Sequence, residues 1–574
     1  MKKILLFVAI IASYASMAQS IESKIPNSAE AVISVNGDRL TELVPIAKFN
    51  EYSFAQKMLE KLSRNSESEL TLNSIEDLGF DVNSKAFYFF KRTDSISYHT
   101  FLIKLTDKNK FESLMSPRDK ESIVTEEGLR VMAENRLITV WNDNLLLFSA
   151  YEKGRPYFKE HEERFMSQME HEDITYYQLK KALTSKWAKI HAFNVIKGHG
   201  ETSILSNKSY ASSKDKNAAA SVWLSDYGQL ISDVMFDMYG GNAISSLIPW
   251  ESISNLYGFK SVVANLYFDK GAARMTTEME MSSDLIKSSK SFYNSKIDKA
   301  FFNYLNYDET LAYMSLSLNT KALLEEYPKL QARVFDRAVP TKKGELDLVV
   351  DLLSLLLDEE AISDLITGDV LFTLDNFEEK EVTYTSYEFD EDYNRKETTR
   401  TKNEIVPDFT IMIGSKKDKL LNKAARLGVK QKLFEDKNGY FKINIPQKEV
   451  PFGLYLYAAI KNDILFFTTS EEKISNIVNN RFIKNPGKHQ KLIKSCSSVL
   501  YINGEKLISK VPESELSRKE RRYFNYAKES LKDAYFKTLK IKGNKLLSEM
   551  NINTANSEEN SLKLFLNLID ALAK

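Results

Sequence analysis

Short apolar runs of strand length, each closed by a polar turn and passing into a helically spaced segment, recur along this chain. The sharpest is Ala31-Val32-Ile33-Ser34-Val35-Asn36-Gly37-Asp38-Arg39-Leu40-Thr41-Glu42-Leu43. Its β-branched run predicts a strand. Asn36-Gly37 tolerates positive φ and predicts a reversal. Asp38 is the expected helix cap, with Leu40, Leu43 and Val44 on one helical face. Ser498 to Ile508 repeats the plan almost residue for residue, Ser221 to Ile231 is a looser copy, and Ala312 to Leu324 lacks the glycine. None of the turns has the Gly-rich spacing or the Lys-Ser/Thr pair of a phosphate cradle, so the motif reads as architectural.

The copies alternate between two contexts, which makes a half-chain the repeating unit. After the first come Ala86 to Phe90 and Thr100 to Leu105, then a helix over about Lys110 to Met115 with Thr106 or Asp107 as its cap. After the third come Gly368 to Leu374 and Asp408 to Ile413, with Ser415 in the capping place. A hairpin with Asn-Asp at its reversal follows in each half, Leu137 to Phe148 and Leu454 to Phe467. Each half ends on two strands and a helix, near Leu285 in one and over Leu562 to Leu572 in the other. The pattern predicts an α+β fold: a tandem duplication of a mainly antiparallel sheet-plus-helices unit. The boundaries are a leader at 1–18, a first half at 19–299 and a second at 300–574.

Insertions distinguish the halves. The first half carries about 153–217, read as two helices (Tyr157 to Met169 and Tyr176 to Val195) and then a polar loop from Ser203 to Asn217. Four of the six histidines lie there, at 161, 171, 191 and 199, so a metal site has to be weighed, with His161 and His171 as its candidates. The run His161-Glu162-Glu163-Arg164-Phe165 is not H-E-x-x-H, and ten helical residues separate the two by about 15 Å. A solvated charged helix is the better reading. The second half carries about 376–407 inside its first hairpin. There Val382 to Phe389 alternates with period two and Glu397 to Lys402 supplies a return strand. This predicts a projecting β-arm with Tyr384, Tyr387, Phe389 and Tyr393 as partner-binding residues, by strand addition along its edge. Asp390-Glu391-Asp392-Tyr393-Asn394 lacks the Gly and closing Glu of a calcium loop.

Composition narrows the function. At 574 residues the chain needs more than one core, and 43% apolar residues suffice to fill them. Lysines and arginines number 79, as do aspartates and glutamates, so no global field draws nucleic acid. Lys2-Lys3, the apolar Ile4 to Ala12 and Ser16-Met17-Ala18 read as a secretory leader cleaved near Ala18, giving a periplasmic or secreted protein. Leu346 to Leu357 is too short to span a bilayer, and no membrane span is expected in the mature chain. The lone Cys496 reads as a buried small residue. No G-x-S-x-G, H-E-x-x-H or paired C-x-x-C is present.

Lys24-Ile25-Pro26-Asn27-Ser28-Ala29-Glu30 leading into the first copy, directly after a leader, resembles exported Bacteroidota proteins that carry a domain-of-unknown-function label. The closing Glu559-Asn560-Ser561-Leu562-Lys563 is similar in style. The resemblance implies an envelope or secreted location and brings no catalytic residues. Members often carry a lipid-modified Cys after the leader, and this chain departs from that. The expectation is a non-enzymatic envelope protein acting as a binding or interaction scaffold, with another envelope protein as partner and no cofactor. A secreted hydrolase, metal-dependent or not, with its site in the His-rich insertion or between the halves is one alternative, and a carrier of an apolar ligand is another.

Overall fold

The computed structural model describes residues 20–573 except 66–70, 154, 170–174, 226–257, 294–295, 327, 330–357, 390–394, 446–454 and 511–515. The leader at 1–18, the Leu346 to Leu357 stretch and the acidic tip at 390–394 lie outside the described residues. The fold is mixed α+β, with antiparallel sheets. Two compact units divide the chain: residues 1–231, 260–277 and 558–574 in the first, and 232–259 with 278–557 in the second.

In the first unit the strands are β1 (Ala31–Asn36), β2 (Lys85–Arg92), β3 (Ile96–Lys104), β4 (Val124–Glu126), β5 (Leu129–Glu134), β6 (Leu137–Trp141), β7 (Leu145–Lys153), β8 (Ala220–Ser225) and β9 (Phe259–Asp269). They pair antiparallel in the order β9-β8-β1-β2-β3-β7-β6-β5-β4. A 22-residue helix, Tyr176–Lys197, covers one face. Its Ala188, Ala192 and Val195 enter a core with Val32, Phe89, Leu102 and Ile138. Small residues on that helix let it lie close to the sheet.

β10 (Ala272–Met281) follows β9 in the chain and pairs with it. The second unit contains β11 (Ala312–Ser317), β12 (Asp369–Phe389), β13 (Arg395–Gly414), β14 (Phe434–Asp436), β15 (Phe441–Ile443), β16 (Leu456–Lys461), β17 (Ile464–Thr468), β18 (Ser498–Ile502), β19 (Leu531–Thr538) and β20 (Lys545–Thr554). Their order is β20-β19-β18-β11-β12-β13-β17-β16-β15-β14, again antiparallel throughout. From β19 to β14 this is the first unit's order, strand for strand. The register repeats too: Ala31 faces Phe90 and Leu224, and Ala312 faces Leu374 and Ile502. A buried hydroxyl pair marks the same place in each core, Thr100 with Ser149 (3.3 Å) and Thr410 with Thr468 (3.0 Å).

The closing helices depart from the expected boundary at 299/300. Ser561–Ala573, from the end of the chain, belongs to the first unit. There the Ser53 amide and hydroxyl both donate to Asp570 Oδ1 at 2.5 Å, and Leu562 packs with Val44, Tyr52 and Ala55. Ser283–Tyr293 belongs to the second unit, where Ser288 donates to Glu326 Oε2 (2.7 Å). Each half of the sequence supplies the helix that closes the other half's unit.

Several local expectations change in detail. The helix Gly37–Leu43 starts directly after β1, with Asn36 and not Asp38 at its cap position. Gly37 has no positive φ. It is glycine because a Cβ there would lie 2.2 Å from the Val82 carbonyl oxygen. Asp107 caps its helix as expected, whereas the helix Asp418–Lys430 starts after Lys417, and Ser415 only accepts the Lys417 amide (3.2 Å). The Ser203 to Asn217 stretch holds two short helical turns, Ile204–Ser206 and Lys208–Ser212, where a loop was expected, because Ser203 and Asn207 cap them.

Candidate functional site

The second unit carries a cleft of about 570 Å³. Its floor is made where β12 leaves regular pairing. The register of β12 against β13 shifts between Leu374 and Asn376, so Asp375 is a bulge residue whose side chain is re-aimed. Thr373 and Thr310 donate to Asp375 at 2.9 and 3.1 Å. From the opposite side comes Lys473, in the first turn of the helix Glu471–Val478, whose cap Ser470 accepts the Lys473 amide at 3.2 Å. Its ammonium forms an ion pair with Asp375 and also donates to Thr373 (3.3 Å). Both ion-pair side chains are nearly buried, at 13% and 10% exposure.

Asp408 faces Asn376 across the β12–β13 pair and accepts from the Thr469 hydroxyl (3.2 Å). Burial pushes its carboxyl above the usual aspartate range. Lys473 opposes that rise, while Asp375 and Glu378 add to it. The Asn376 side-chain oxygen is buried and has no donor among the described residues. The floor thus presents more acceptor than donor capacity. Around the rim stand Lys506, Arg481, Lys510, Glu309 and Glu472. Lys506 is anchored by donating to the carbonyls of Tyr307 (3.1 Å) and Asp308 (2.8 Å). A charged lining of both signs suits a polar ligand and disfavours a purely apolar one.

Elsewhere in the same unit His489 is buried against Tyr307 (ring centroids 4.1 Å) and shares a hydrogen bond with the Tyr313 hydroxyl (2.9 Å). Burial pulls its pKa down to about 4. In the first unit His191 stacks on Tyr98 at 4.0 Å and meets Thr100 at 3.2 Å, and burial pulls its pKa down to about 3. Cys496 is buried at 3% exposure, and its thiol is held above its usual range by that burial.

Of the residues singled out from sequence, His161 and Tyr387 are described with their side chains, and neither lines the cleft. His161 is stacked on Tyr157 (4.4 Å) and its Nδ1 meets the Tyr157 carbonyl oxygen (2.9 Å), which is a helix-surface histidine's arrangement. His171 lies outside the described residues, and no group of three metal-capable side chains occurs among those described. The arm does form, Phe389 pairing with Arg395 at its tip. Tyr387 on it is 45% exposed beneath the Arg395 guanidinium, 3.4 Å from the ring centroid. Tyr384 and Phe389 are in β12 by backbone, their side chains and all of Tyr393 falling outside the described residues. Asp375, Asp408 and Lys473 were missed because nothing local marks them. An Asp-Asn pair just past the predicted strand Gly368 to Leu374 is the available hint of a break in pairing there.

No family model matches the chain, and no curated protein does. Among solved structures, TP0453 in crystal form III aligns over 49% of this chain and 82% of its own, at 9% identity and a TM-score of 0.24. Its crystal form I gives 0.23 over 49% and 81%. The DNA polymerase III β subunit of Thermotoga maritima aligns over 76% and 98% at 7% identity, with a TM-score of 0.09. Similarity at these scores carries no functional argument. No helix among the described residues is long and apolar enough to cross a membrane.

Proposed function

We propose that this chain is an exported, non-enzymatic binding protein of the cell envelope, and that a small charged ligand docks in the cleft of its second unit. The observation that carries the reading is the buried Lys473–Asp375 ion pair on the floor of a cleft of about 570 Å³. A buried pair adds little stability over apolar residues of the same volume, so its presence beside a cavity supports a binding role. The ligand's own charges meet both signs on the lining, and Asp408 with Asn376 offers acceptors to a cationic or hydroxylated group. The repeated strand order supports an origin by tandem duplication.

The test is thermal shift with lysine, glutamate, glucosamine and glycylglycine, each at ~10 mM. A ligand of millimolar affinity raises stability by about 1.4 kcal/mol, on the order of 2–4 °C. The shift should vanish in Lys473→Met, and the probe should be recovered unaltered. No shift from any probe, or one that persists in that variant, removes the cleft from the case.

A second reading is favoured by the arm's length. β12 and β13 run 21 and 20 residues where β2 and β3 run 8 and 9. Such an arm suits strand addition to another envelope protein. Pull-down from envelope extracts with 380–404 deleted tests it, and an unchanged set of partners removes the arm.

A further inference from the structure

A second hollow, of about 150 Å³, lies in the first unit between the β5–β6 turn and the N-terminal half of the helix Tyr176–Lys197. Tyr177, Lys180, Lys181 and Thr184 line it from the helix, at the i, i+3, i+4, i+7 spacing of one face. Arg136 lines it from the turn and Tyr151 from β7. Among the described residues that line it the charges are all of one sign, and none is a carboxylate. Lys189, further along the helix, is paired to Glu126 (2.5 Å), and Lys197 to Glu127. Arg136, Lys180 and Lys181 have no such partner among the described residues; Lys180 lies over the Tyr176 ring at 3.6 Å, which holds its stem in place without neutralising it.

The floor supplies the independent sign of a ligand. Tyr151 is only 4% exposed and its ring is packed in the main core of the unit, yet its hydroxyl finds no hydrogen-bond partner among the described residues and lines the hollow. A buried tyrosine ordinarily pairs its hydroxyl. Here the hydroxyl is left facing a hollow ringed by cations. The helix begins nearby, with Thr175 as its cap, and its dipole adds to the positive potential.

We propose that this hollow binds a phosphate group, the Tyr151 hydroxyl donating from below and Arg136, Lys180 and Lys181 surrounding it. Three cations and a neutral donor match a tetrahedral dianion better than a single carboxylate. The planar guanidinium of Arg136 is suited to two of its oxygens at once. The space accommodates the phosphate itself and a few waters, so whatever it is esterified to projects outward. This site is independent of the cleft in the second unit.

The test uses the full chain and measures its melting temperature at constant ionic strength, with inorganic phosphate, glycerol phosphate, acetate or sodium chloride. The expected result is stabilisation by the first two and none by acetate or chloride. Isothermal titration with glycerol phosphate should then show affinity falling roughly tenfold or more in Arg136→Gln/Lys181→Gln, and about fivefold in Tyr151→Phe. Arg136 and Lys181 are exposed and Tyr151→Phe is isosteric, so these variants fold. Co-sedimentation with vesicles containing phosphatidic acid separates a membrane headgroup from a dissolved ester. Equal stabilisation by phosphate and chloride, by acetate as much as by phosphate, or undiminished affinity in the double variant overturns the proposal.

Discussion

The two units place opposite charges at one and the same point of a shared framework. One residue beyond the Ala31–Phe90 pair stands Lys91; one residue beyond the matching Ala312–Leu374 pair stands Asp375. Lys91 pairs with Glu201, in the loop after the 22-residue helix, and the hollow beside them is about 90 Å³. Asp375 pairs with Lys473, on an eight-residue helix, beside a cleft of about 570 Å³. Sheet order does not differ there, but register does: Lys91 pairs regularly with Tyr98, whereas Asp375 falls in the bulge of β12. Among the described residues, the helix laid over that end of the sheet differs as well. The first unit fills the place with a long helix whose own His191 is buried against the sheet, while in the second the described residues leave a cleft lined with charge.

The largest expected effect comes from the exchanged helices. A chain ending at Ser557 lacks the helix that closes the first unit. Hydrogen exchange by mass spectrometry should show protection lost in peptides of β1 to β3 and retained in those of β11 to β13; equal loss in both would mean that the two units do not hold separate cores. Asp570→Ala, which removes the acceptor for the Ser53 amide and hydroxyl, should cost about 1–3 kcal/mol in urea unfolding.

Next in size is the charge pair itself. Lys473→Met strands Asp375 in a buried place and should cost about 3–5 kcal/mol. Lys91→Met leaves Glu201, which is 37% exposed, able to turn to water, and should cost about 1 kcal/mol or less. Equal losses would erase the distinction between a filled and an open site.

Acid separates the units further. His191 and His489 both have folded pKa values below the ordinary 6.5, at about 3 and about 4. Their neutral forms are the ones the fold accepts, so stability is intact above pH 6.5 and falls as pH drops towards those values. The window is wider for His191. Stability measured from pH 7 to 4 should fall with a slope that His191→Phe flattens more than His489→Phe does.

The smallest effect concerns Asp408. Its folded pKa is raised, so the unfolded chain gives up that proton more readily, and ionisation destabilises the fold as pH rises above 3.8. Asp408→Asn should raise the melting temperature slightly at pH 7 and leave it unchanged at pH 3. A lower melting temperature at pH 7 would show that the carboxylate is needed in its charged form even without ligand.

Much of the architecture was legible from residue pattern alone. The strand at Ala31, the hairpins turning at Asn142-Asp143 and Asn462-Asp463, and the long arm all follow from alternation and turn chemistry, which act within a few residues. The cleft was not legible. Asp375 owes its direction to a slipped register, Asp408 to its partner across two strands, and Lys473 to a helix capped about a hundred residues further on. His161 shows the reverse case: it is close to acids in sequence, but its ring rests on Tyr157.

The sequence by itself determined the strands, their turns and the parallel order of segments in its two halves, since hydrophobic periodicity and turn residues are local constraints. The tertiary structure alone decided which core each closing helix would enter, because Ser283–Tyr293 and Ser561–Ala573 both carry an apolar face and an apolar face does not by itself name its partner. It also decided which of two matching sheet ends stays open, because a cavity is set by the volume of chain packed over it, and that volume comes from elements far apart in the sequence.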